Sequence, residues 1–311
     1  MTREETLVRP FLVRVPVGVV EVRGGDRASF LNAVLSQEIE DLPVGAWAAA
    51  LLLDAHGSPL AAMEAVALAD RVLLLLDDPA AADELARLLR GRTFLADVDI
   101  SVATDVTRWS LRGSPDEVAK LNGPRVAERA ATEGDAGVVI GRADGFDVVA
   151  AEGSPLVDAL AGVTRGDRDD LEAWRVARGE PRWGHEIRPP HLPEELGLLP
   201  THVHLQKGCY PGQEAVARMW MLGRPRRRLA TVKLVGDAAA GWSTGEGKQR
   251  VEVTSAADGD GVRVGLAFVP ADAQPEQRFG DEGAGVIVRG FVGADRPIPG
   301  WDGGRRRRDR R

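Results

Sequence analysis

The densest group of chemistry-bearing side chains in the sequence lies between residues 207 and 214. A lysine, a thiol, a phenol, an amide and a carboxylate are interleaved with two glycines and a proline, in the order Lys207-Gly208-Cys209-Tyr210-Pro211-Gly212-Gln213-Glu214. Glycine permits positive φ angles and close approach of other backbone, and proline stiffens the turn between the two glycines. This composition predicts a loop that presents side chains rather than an element of the core.

Cys209 is the candidate reactive group of this loop. It is the only cysteine in the sequence and therefore cannot close an internal disulfide. The residues that follow, 215–217, predict the start of a helix, where backbone amides, together with Lys207 and Arg218, favour a thiolate or a bound anion. A small buried side chain is the alternative for a lone cysteine, but the polar, glycine-rich context favours a reactive thiol.

Four of the five histidines lie near this loop, at His185, His191, His202 and His204. Together with Cys209 they offer a His/Cys ligand set for a metal ion. Their spacing is irregular across Pro189-Pro190 and matches no zinc-finger pattern, so we predict no metal site. One thiol also does not hold an iron-sulfur cluster, which normally takes several cysteines. Any cluster chemistry must therefore involve a partner protein.

The elements that position this loop alternate between strands and helices. Strands are predicted for the apolar runs at 15–22, 48–53, 72–76 and 98–102. Helical spacing follows Asp26, a predicted N-cap, and recurs after Pro79 up to Gly91. The order of strands and helices predicts an α+β layer architecture.

Two further regions have their own character. Residues from about 103 to 163 predict a second, smaller α+β lobe, and Asp167 is a predicted cap of a helix that stops at Gly179. Beyond Arg228, short alternating strands are separated by glycine and aspartate. That pattern is typical of a small β-barrel.

Length and composition limit the class of protein. A chain of 311 residues with 44% hydrophobic residues predicts two or three folded domains. No apolar run reaches the ~20 residues that cross a bilayer. Because Met1 to Glu5 show no secretory signal and the lone thiol suits a reducing compartment, we predict a cytoplasmic protein.

The charge is unevenly distributed along the chain. The formal net charge is −7, which disfavours nucleic-acid binding by the body of the protein. The tail at Arg305–Arg311 is nevertheless rich in arginine. A solvated, disordered terminus is the simpler prediction for this tail, and a polyanion-binding arm is the alternative.

Several motifs resemble one known family. The segment 207–214 resembles the signature of the YgfZ family, which is grouped with the glycine-cleavage T-protein (GcvT, aminomethyltransferase) superfamily. The stretch from Arg175 to Glu186 resembles the superfamily pattern R-x-x-x-G-x-P-x-x-G-x-E. The resemblance continues through most of the chain and is thinnest before Leu51, with matching segments at Pro193–Leu198, Gly223, Arg226–Leu229 and Val253–Ala257.

The resemblance implies the fold and the division into domains. It implies an α+β, GcvT-like ring of three domains around a central cavity that holds tetrahydrofolate or a one-carbon derivative. We expect a folate-binding region at 1–226, made of two interleaved lobes of which the second is 103–163. A C-terminal β-barrel is expected at 227–295, and the arginine-rich tail at 296–311.

The resemblance also assigns the folate contacts. Glu186 matches the carboxylate that binds the pterin, and a carboxylate accepts paired hydrogen bonds from the pterin amino group and ring N–H. Arg218 suits the glutamyl carboxylate at the other end. The remaining implied folate contacts are Lys207, Gly208, Tyr210, Gly212, Gln213 and Glu214.

One departure from the superfamily bears on activity. In the T-protein, an aspartate after the turn corresponding to 54–59 assists methylene transfer, and Ala61 or Ala62 stands there in this sequence. Alanine provides no acid or base. The sequence therefore predicts a tetrahydrofolate-binding accessory protein that supports iron-sulfur cluster assembly or repair, with client or assembly proteins as partners and Cys209 as its reactive thiol.

Two alternatives stay open. One is a folate-dependent one-carbon transferase or demethylase, with Asp54 or Glu186 as the acid-base group. The other is an adaptor that uses the barrel and the arginine tail to hold an acidic partner or RNA.

Overall fold

The structure is a computed structural model that describes residues 9–121, 123–221, 225–259, 262–294 and 296–300. Gly223 and the tail at Arg305–Arg311 lie outside these ranges. No helix within them is long and apolar enough to cross a membrane.

The chain divides into two compact units. The first contains the residues up to Ala50 together with Ala61–Leu171, and the second contains Leu51–Leu60 and the residues from Glu172 onward. The domain boundaries expected at 226 and 295 stay a prediction, as does the ring arrangement.

The first unit is built largely from two sheets. The strands of one sheet are β1 (Phe11–Val15), β7 (Val106–Arg112), β8 (Ala131–Gly134), β9 (Gly137–Arg142), β10 (Gly145–Ala151) and β11 (Thr164–Arg165). They lie in the order β11-β1-β7-β10-β9-β8, and β11 alone pairs in parallel. The strands of the other are β2 (Gly18–Arg23), β3 (Ala46–Leu53), β4 (Pro59–Ala67), β5 (Arg71–Leu76) and β6 (Asp99–Ala103), in the order β3-β4-β5-β2-β6.

Apolar side chains of both sheets share one core cluster. Val19, Val66 and Leu73 from the second sheet join Ile140 and Val149 from the first. Alternating burial along β4 reflects the two-residue period of a strand, which turns every second side chain into this core. The interleaved strands and helices confirm the predicted α+β class.

A buried ionic cluster also links the two sheets. Asp147 on β10 is fully buried and accepts hydrogen bonds from Arg108, Arg142 and Ser110, while Arg142 Nη1 donates to Glu64 Oε1 on β4 at 2.6 Å. Burial alone would raise the pKa of Asp147, but the neighbouring arginine charges outweigh it and hold that pKa well below its usual range.

Seven helices occur in the described ranges: α1 (Arg27–Val34), α2 (Ala81–Arg90), α3 (Pro115–Ala119), α4 (Pro155–Asp158), α5 (Arg168–Arg178), α6 (Leu199–His202) and α7 (Gln213–Met221). The predicted cap Asp167 is confirmed, because its Oδ1 accepts from the backbone N–H of Asp169 and Asp170. Asp26 precedes α1 but caps nothing with its side chain. Its carboxylate instead accepts the N–H of Asp97.

The second unit contains the predicted barrel. Its strands are β12 (Arg227–Gly236), β13 (Ser243–Thr244), β14 (Val251–Gly259), β15 (Val262–Pro270), β16 (Arg278–Gly280) and β17 (Ala284–Phe291), and a short 3-10 helix spans Gly247–Gln249. They form one antiparallel, barrel-like sheet in the order β13-β14-β15-β12-β17-β16. Register shifts at Thr231/Val232 and Val253/Ser255 mark bulges, which bend a sheet toward closure.

Candidate functional site

The segment 207–214, here called the Cys209 loop, connects α6 to α7 in the second unit. Cys209 is exposed, as the sequence predicted for a presented thiol. The loop ends in the first turn of α7, where the N–H of Gln213 donates to Tyr210 O at 3.2 Å and the N–H of Val216 to Gly212 O at 3.2 Å. The thiol therefore stands four residues before a nine-residue helix.

Gly212 is required by the packing of this loop. Its φ is +80°, and a Cβ built on it would lie 2.5 Å from the backbone oxygen of Asp54. Gly57, at φ +82°, faces it from the turn at 54–59, and its own Cβ would meet Ala215 at 3.0 Å. The two glycines let the turn and the loop touch backbone to backbone. Gly208, by contrast, has open space where its Cβ would be.

Lys207 and Tyr210 flank the thiol from the buried side of the loop. Lys207 is 6% exposed, and its Nζ lies 5.3 Å from the centre of the Tyr210 ring. Burial raises the pKa of Tyr210 to about 12, so its phenol stays protonated at neutral pH. Both side chains thus serve to shape the loop, while Cys209 and Gly208 are its exposed residues.

The remaining residues assigned to folate in this region lie on α7. Glu214 and Arg218 are exposed and form an i,i+4 ion pair at 3.4 Å. Gln213 is half-buried. An amide, a carboxylate and a guanidinium therefore lie near the thiol along the chain, and these are groups that pair with the polar edges and carboxylates of a folate.

Glu186 lies in a different environment. Its side chain has no exposed surface, and both carboxylate oxygens have internal partners. Ser255 Oγ donates to Oε1 at 2.6 Å, while Arg175 Nη1 at 3.2 Å and the backbone N–H of Arg182 at 3.0 Å donate to Oε2. A hydrogen bond from Thr254 adds to these. A carboxylate has about four acceptor positions, so the pterin contact implied for Glu186 does not fit the carboxylate as it stands.

The electrostatics of Glu186 agree with a structural charge. Burial alone would raise the pKa of this carboxyl group, but the positive charge of Arg175 and the hydrogen bonds of Ser255 and Arg182 outweigh it. The pKa therefore lies below its usual range, and Glu186 is ionised at neutral pH.

Arg175 extends the network to a second carboxylate. Its Nε donates to Glu172 Oε2 at 2.8 Å, its Nη2 to Ser255 Oγ at 2.6 Å and its Nη1 to Glu180 O at 2.9 Å. Helix α5, the stretch 180–186 and strand β14 are thereby joined through two buried charges. Sequence analysis noted Arg175 and Ser255 only as parts of matching segments and gave neither a role.

Asp54 is also engaged in local structure. Its Oδ1 accepts the N–H of His56 at 2.8 Å and of Ser58 at 2.9 Å, which fixes the turn at 54–59. Ala61 and Ala62 follow on β4 and offer no acid or base. The two carboxylates considered for acid-base chemistry, Asp54 and Glu186, thus both accept internal hydrogen bonds.

The histidines do not converge. Arg182 Nη2 lies 2.5 Å from His185 Nε2, His191 stacks on Phe268 with ring centres 4.0 Å apart, and Thr201 Oγ1 lies 2.7 Å from His202 Nδ1. Burial and the charge of Arg182 lower the pKa of His185. In the part of the chain that the structure describes, no three His, Cys, Asp or Glu residues are grouped to hold a metal ion.

Comparison with known proteins gives similarities over the full length and over a part. A "tRNA-modifying protein YgfZ" of Vibrio vulnificus is 25% identical over 281 residues, which cover 85% of this chain and 85% of that protein. A mitochondrial "Iron-sulfur cluster assembly factor IBA57 homolog" of Cryptococcus neoformans is 35% identical over 72 residues, or 22% of this chain and 19% of that protein. No family model matches the chain.

A solved structure shows the fold. The crystal structure of glycine cleavage system aminomethyltransferase T from Bartonella henselae superposes with a TM-score of 0.81, covering 95% of this chain and 90% of that chain at 18% identity. The GcvT-like fold and the resemblance to YgfZ predicted from the motifs are confirmed. The chain is a YgfZ-like protein with a GcvT-like fold.

Proposed function

We propose that this chain is a tetrahydrofolate-binding accessory protein that supports the assembly or repair of iron-sulfur clusters in client enzymes. The observation that carries the proposal is the exposed Cys209, held at the start of α7 by a loop whose sequence resembles YgfZ. The names of two similar proteins, a tRNA-modifying protein and an iron-sulfur cluster assembly factor, support the same class of role.

The loop would supply one sulfur ligand and no more. Cys209 is the only thiol of the chain, whereas a cluster is normally held by several cysteines. A client or assembly protein must therefore bring the cluster and its other ligands. Exposure of Cys209 and of its neighbour Gly208 leaves the sulfur open to such a protein.

For the folate itself, the exposed face of α7 fits better than Glu186. Arg218 would pair with a glutamyl carboxylate, and Gln213 and Glu214 offer an acceptor and a donor for the polar ring edge. Tetrahydrofolate, when bound, supplies a carrier for one-carbon groups. The buried pair Glu186 and Arg175 would act behind the site by holding β14 against the stretch that precedes the loop.

A one-carbon transferase is the second candidate. It is favoured by the aminomethyltransferase-like fold, but fold alone does not specify function. The internal hydrogen bonds of Asp54 and Glu186 leave this candidate without a poised acid or base. We therefore rank the accessory role first.

Complementation of a strain that lacks this chain tests the proposal. Activities of iron-sulfur enzymes are measured in extracts after expression of the wild type, Cys209→Ala or Cys209→Ser. We expect the wild type to restore them and both variants to fail. Full rescue by Cys209→Ala would remove the thiol from the proposed function, and loss of rescue with the wild type would remove the function itself.

A further inference from the structure

The first unit carries an apolar tip that its fold does not use. Phe94 is 92% exposed and the adjoining Leu95 is fully exposed, in the connection between α2 and β6. Large apolar side chains are normally buried. Among the described residues, the other large apolar side chain classed as exposed is Val44, which lies elsewhere on the chain.

The tip is held in place rather than loosely attached. The Asp97 N–H donates to Asp26 Oδ2 at 2.8 Å, the Asp26 N–H donates to Asp97 O at 3.1 Å, and the Gly25 N–H donates to Asp97 Oδ2 at 3.0 Å. On the other side, the N–H of Ala96 donates to Thr93 O at 2.8 Å. The connection is thus tied to the turn before α1 on one side and closed on itself on the other.

The backbone of the tip is strained in a way that favours presentation. Phe94 has a φ of +45°, which is in the left-handed region that bulky residues rarely adopt. Strain of this kind persists where surrounding structure enforces it, and it concentrates at functional positions. Here it points a large aromatic side chain outward instead of into the core.

The charges around the tip select among possible partners. Asp26, Asp97 and Asp99 are exposed beside it. The nearby arginines are turned back on the backbone, because Arg90 donates to Ile100 O and Arg92 donates to Leu88 O. Such a surface repels phosphate groups of lipids and nucleic acids, and it complements an apolar pocket with a positively charged rim.

We infer that Phe94 and Leu95 form the anchor by which a client or assembly protein docks, inserting into an apolar pocket rimmed by lysine or arginine. The inference rests on the proposed function for the identity of that partner. Adjacent aromatic and aliphatic side chains that are fully exposed before binding are the usual anchors of protein interfaces. Docking through the first unit would be separate from the thiol chemistry of the Cys209 loop.

The experiment compares Phe94→Ser/Leu95→Ser with the matched control Val44→Ser in the complementation strain. Thermal unfolding and tetrahydrofolate titration first establish that each variant folds and binds like the wild type. We expect the double variant to need about tenfold more protein for equal restoration of iron-sulfur enzyme activity, which corresponds to loss of one anchor. Val44→Ser should restore activity like the wild type. Equal rescue by the double variant would overturn the inference.

Photo-crosslinking separates the docking surface from the proposed function. A benzophenone side chain at position 95 should give one dominant protein adduct in cells, absent when the same group is at position 44. The adduct is identified, and that protein is then titrated against wild type and double variant, where at least about tenfold weaker binding of the variant is expected. This arm is decisive even if the wild type fails to restore any enzyme. No adduct specific to position 95, or equal affinity for both chains, overturns the inference.

Two other occupants are tested with the purified chain. Sedimentation equilibrium reports self-association, and flotation with phosphatidylglycerol vesicles reports membrane binding. We expect neither for the wild type. Self-association or flotation that the double variant abolishes would show that a second copy or a lipid surface occupies the tip, and would contradict the protein partner.

Discussion

Ser255 Oγ lies 2.6 Å from Glu186 Oε1, and this contact joins residues 69 positions apart in the chain. It connects the barrel strand β14 to the stretch just after α5, and Arg175 donates to both residues. The residue that the superfamily resemblance assigns to the pterin is therefore, in this chain, the centre of a buried fastening.

Ser255→Ala should destabilise the protein by about 2 kcal/mol, because it removes a hydrogen bond to a buried charge and leaves Glu186 with one acceptor position unfilled. Chemical denaturation monitored by fluorescence measures this. Its affinity for tetrahydrofolate should stay within about threefold of wild type, since the contact is internal. A stable variant that has lost folate affinity would instead place Ser255 in the binding site.

Glu186→Gln tests the charge of the same site through pH. The folded-state pKa of Glu186 is lowered, so its ionised form stabilises the fold above the unfolded pKa of about 4.3, and this stability is lost as pH falls through the lower folded value. At pH 7 we expect a loss of about 3 kcal/mol, as for a buried ion pair with one partner removed. The gap between wild type and variant should shrink below about pH 4.

Glu214→Gln is the matched control for that pH series. Glu214 is exposed and paired with Arg218 at the surface, where such pairs contribute about 0.5 kcal/mol or less. A gap of several kcal/mol for Glu214→Gln, or one for Glu186→Gln that does not depend on pH, would contradict the assignment of the buried charge to Glu186.

Gly212→Ala should destabilise the Cys209 loop by about 2 kcal/mol, because alanine is strained at a φ of +80° and its Cβ would meet Asp54 O at 2.5 Å. Gly208→Ala is the control, since open space surrounds that position. Thermal unfolding and the rate of Cys209 alkylation report the two effects. Equal behaviour of both variants would mean that the approach of the turn at 54–59 does not shape the loop.

Cys209 should react with iodoacetamide in the native state, because its side chain is exposed. Mass spectrometry after a timed pulse measures one added carbamidomethyl group. Saturating tetrahydrofolate should slow the reaction if folate binds beside the loop as proposed. Alkylation that requires denaturant would show that the thiol is closed off.

Local sequence features predicted much of this structure. The exposed thiol follows from the glycine-rich composition of its own loop, and the barrel from strand periodicity beyond Arg228. The strand β4 was missed, because Pro59 reads as part of a turn and the alternation that follows is made of small residues such as Ala61. Its register and burial are set by pairing with β5, which the local pattern does not encode.

The role of Glu186 was beyond reach of the sequence for a similar reason. Nothing near it specifies that Ser255 lies within hydrogen-bond distance, because the two are brought together by the fold and not by spacing. Asp26 shows the same limit on a smaller scale. It stands at the predicted cap position, but its carboxylate binds the N–H of Asp97 instead.

Isothermal titration calorimetry of the purified chain with tetrahydrofolate, under anaerobic conditions, tests the central claim most directly. We predict saturable binding with one site per chain, weakened at least about tenfold in Arg218→Ala and unchanged in Val44→Ser. Absence of saturable heat with the folded wild type, at folate concentrations up to the millimolar range reached by weak ligands, would contradict the account.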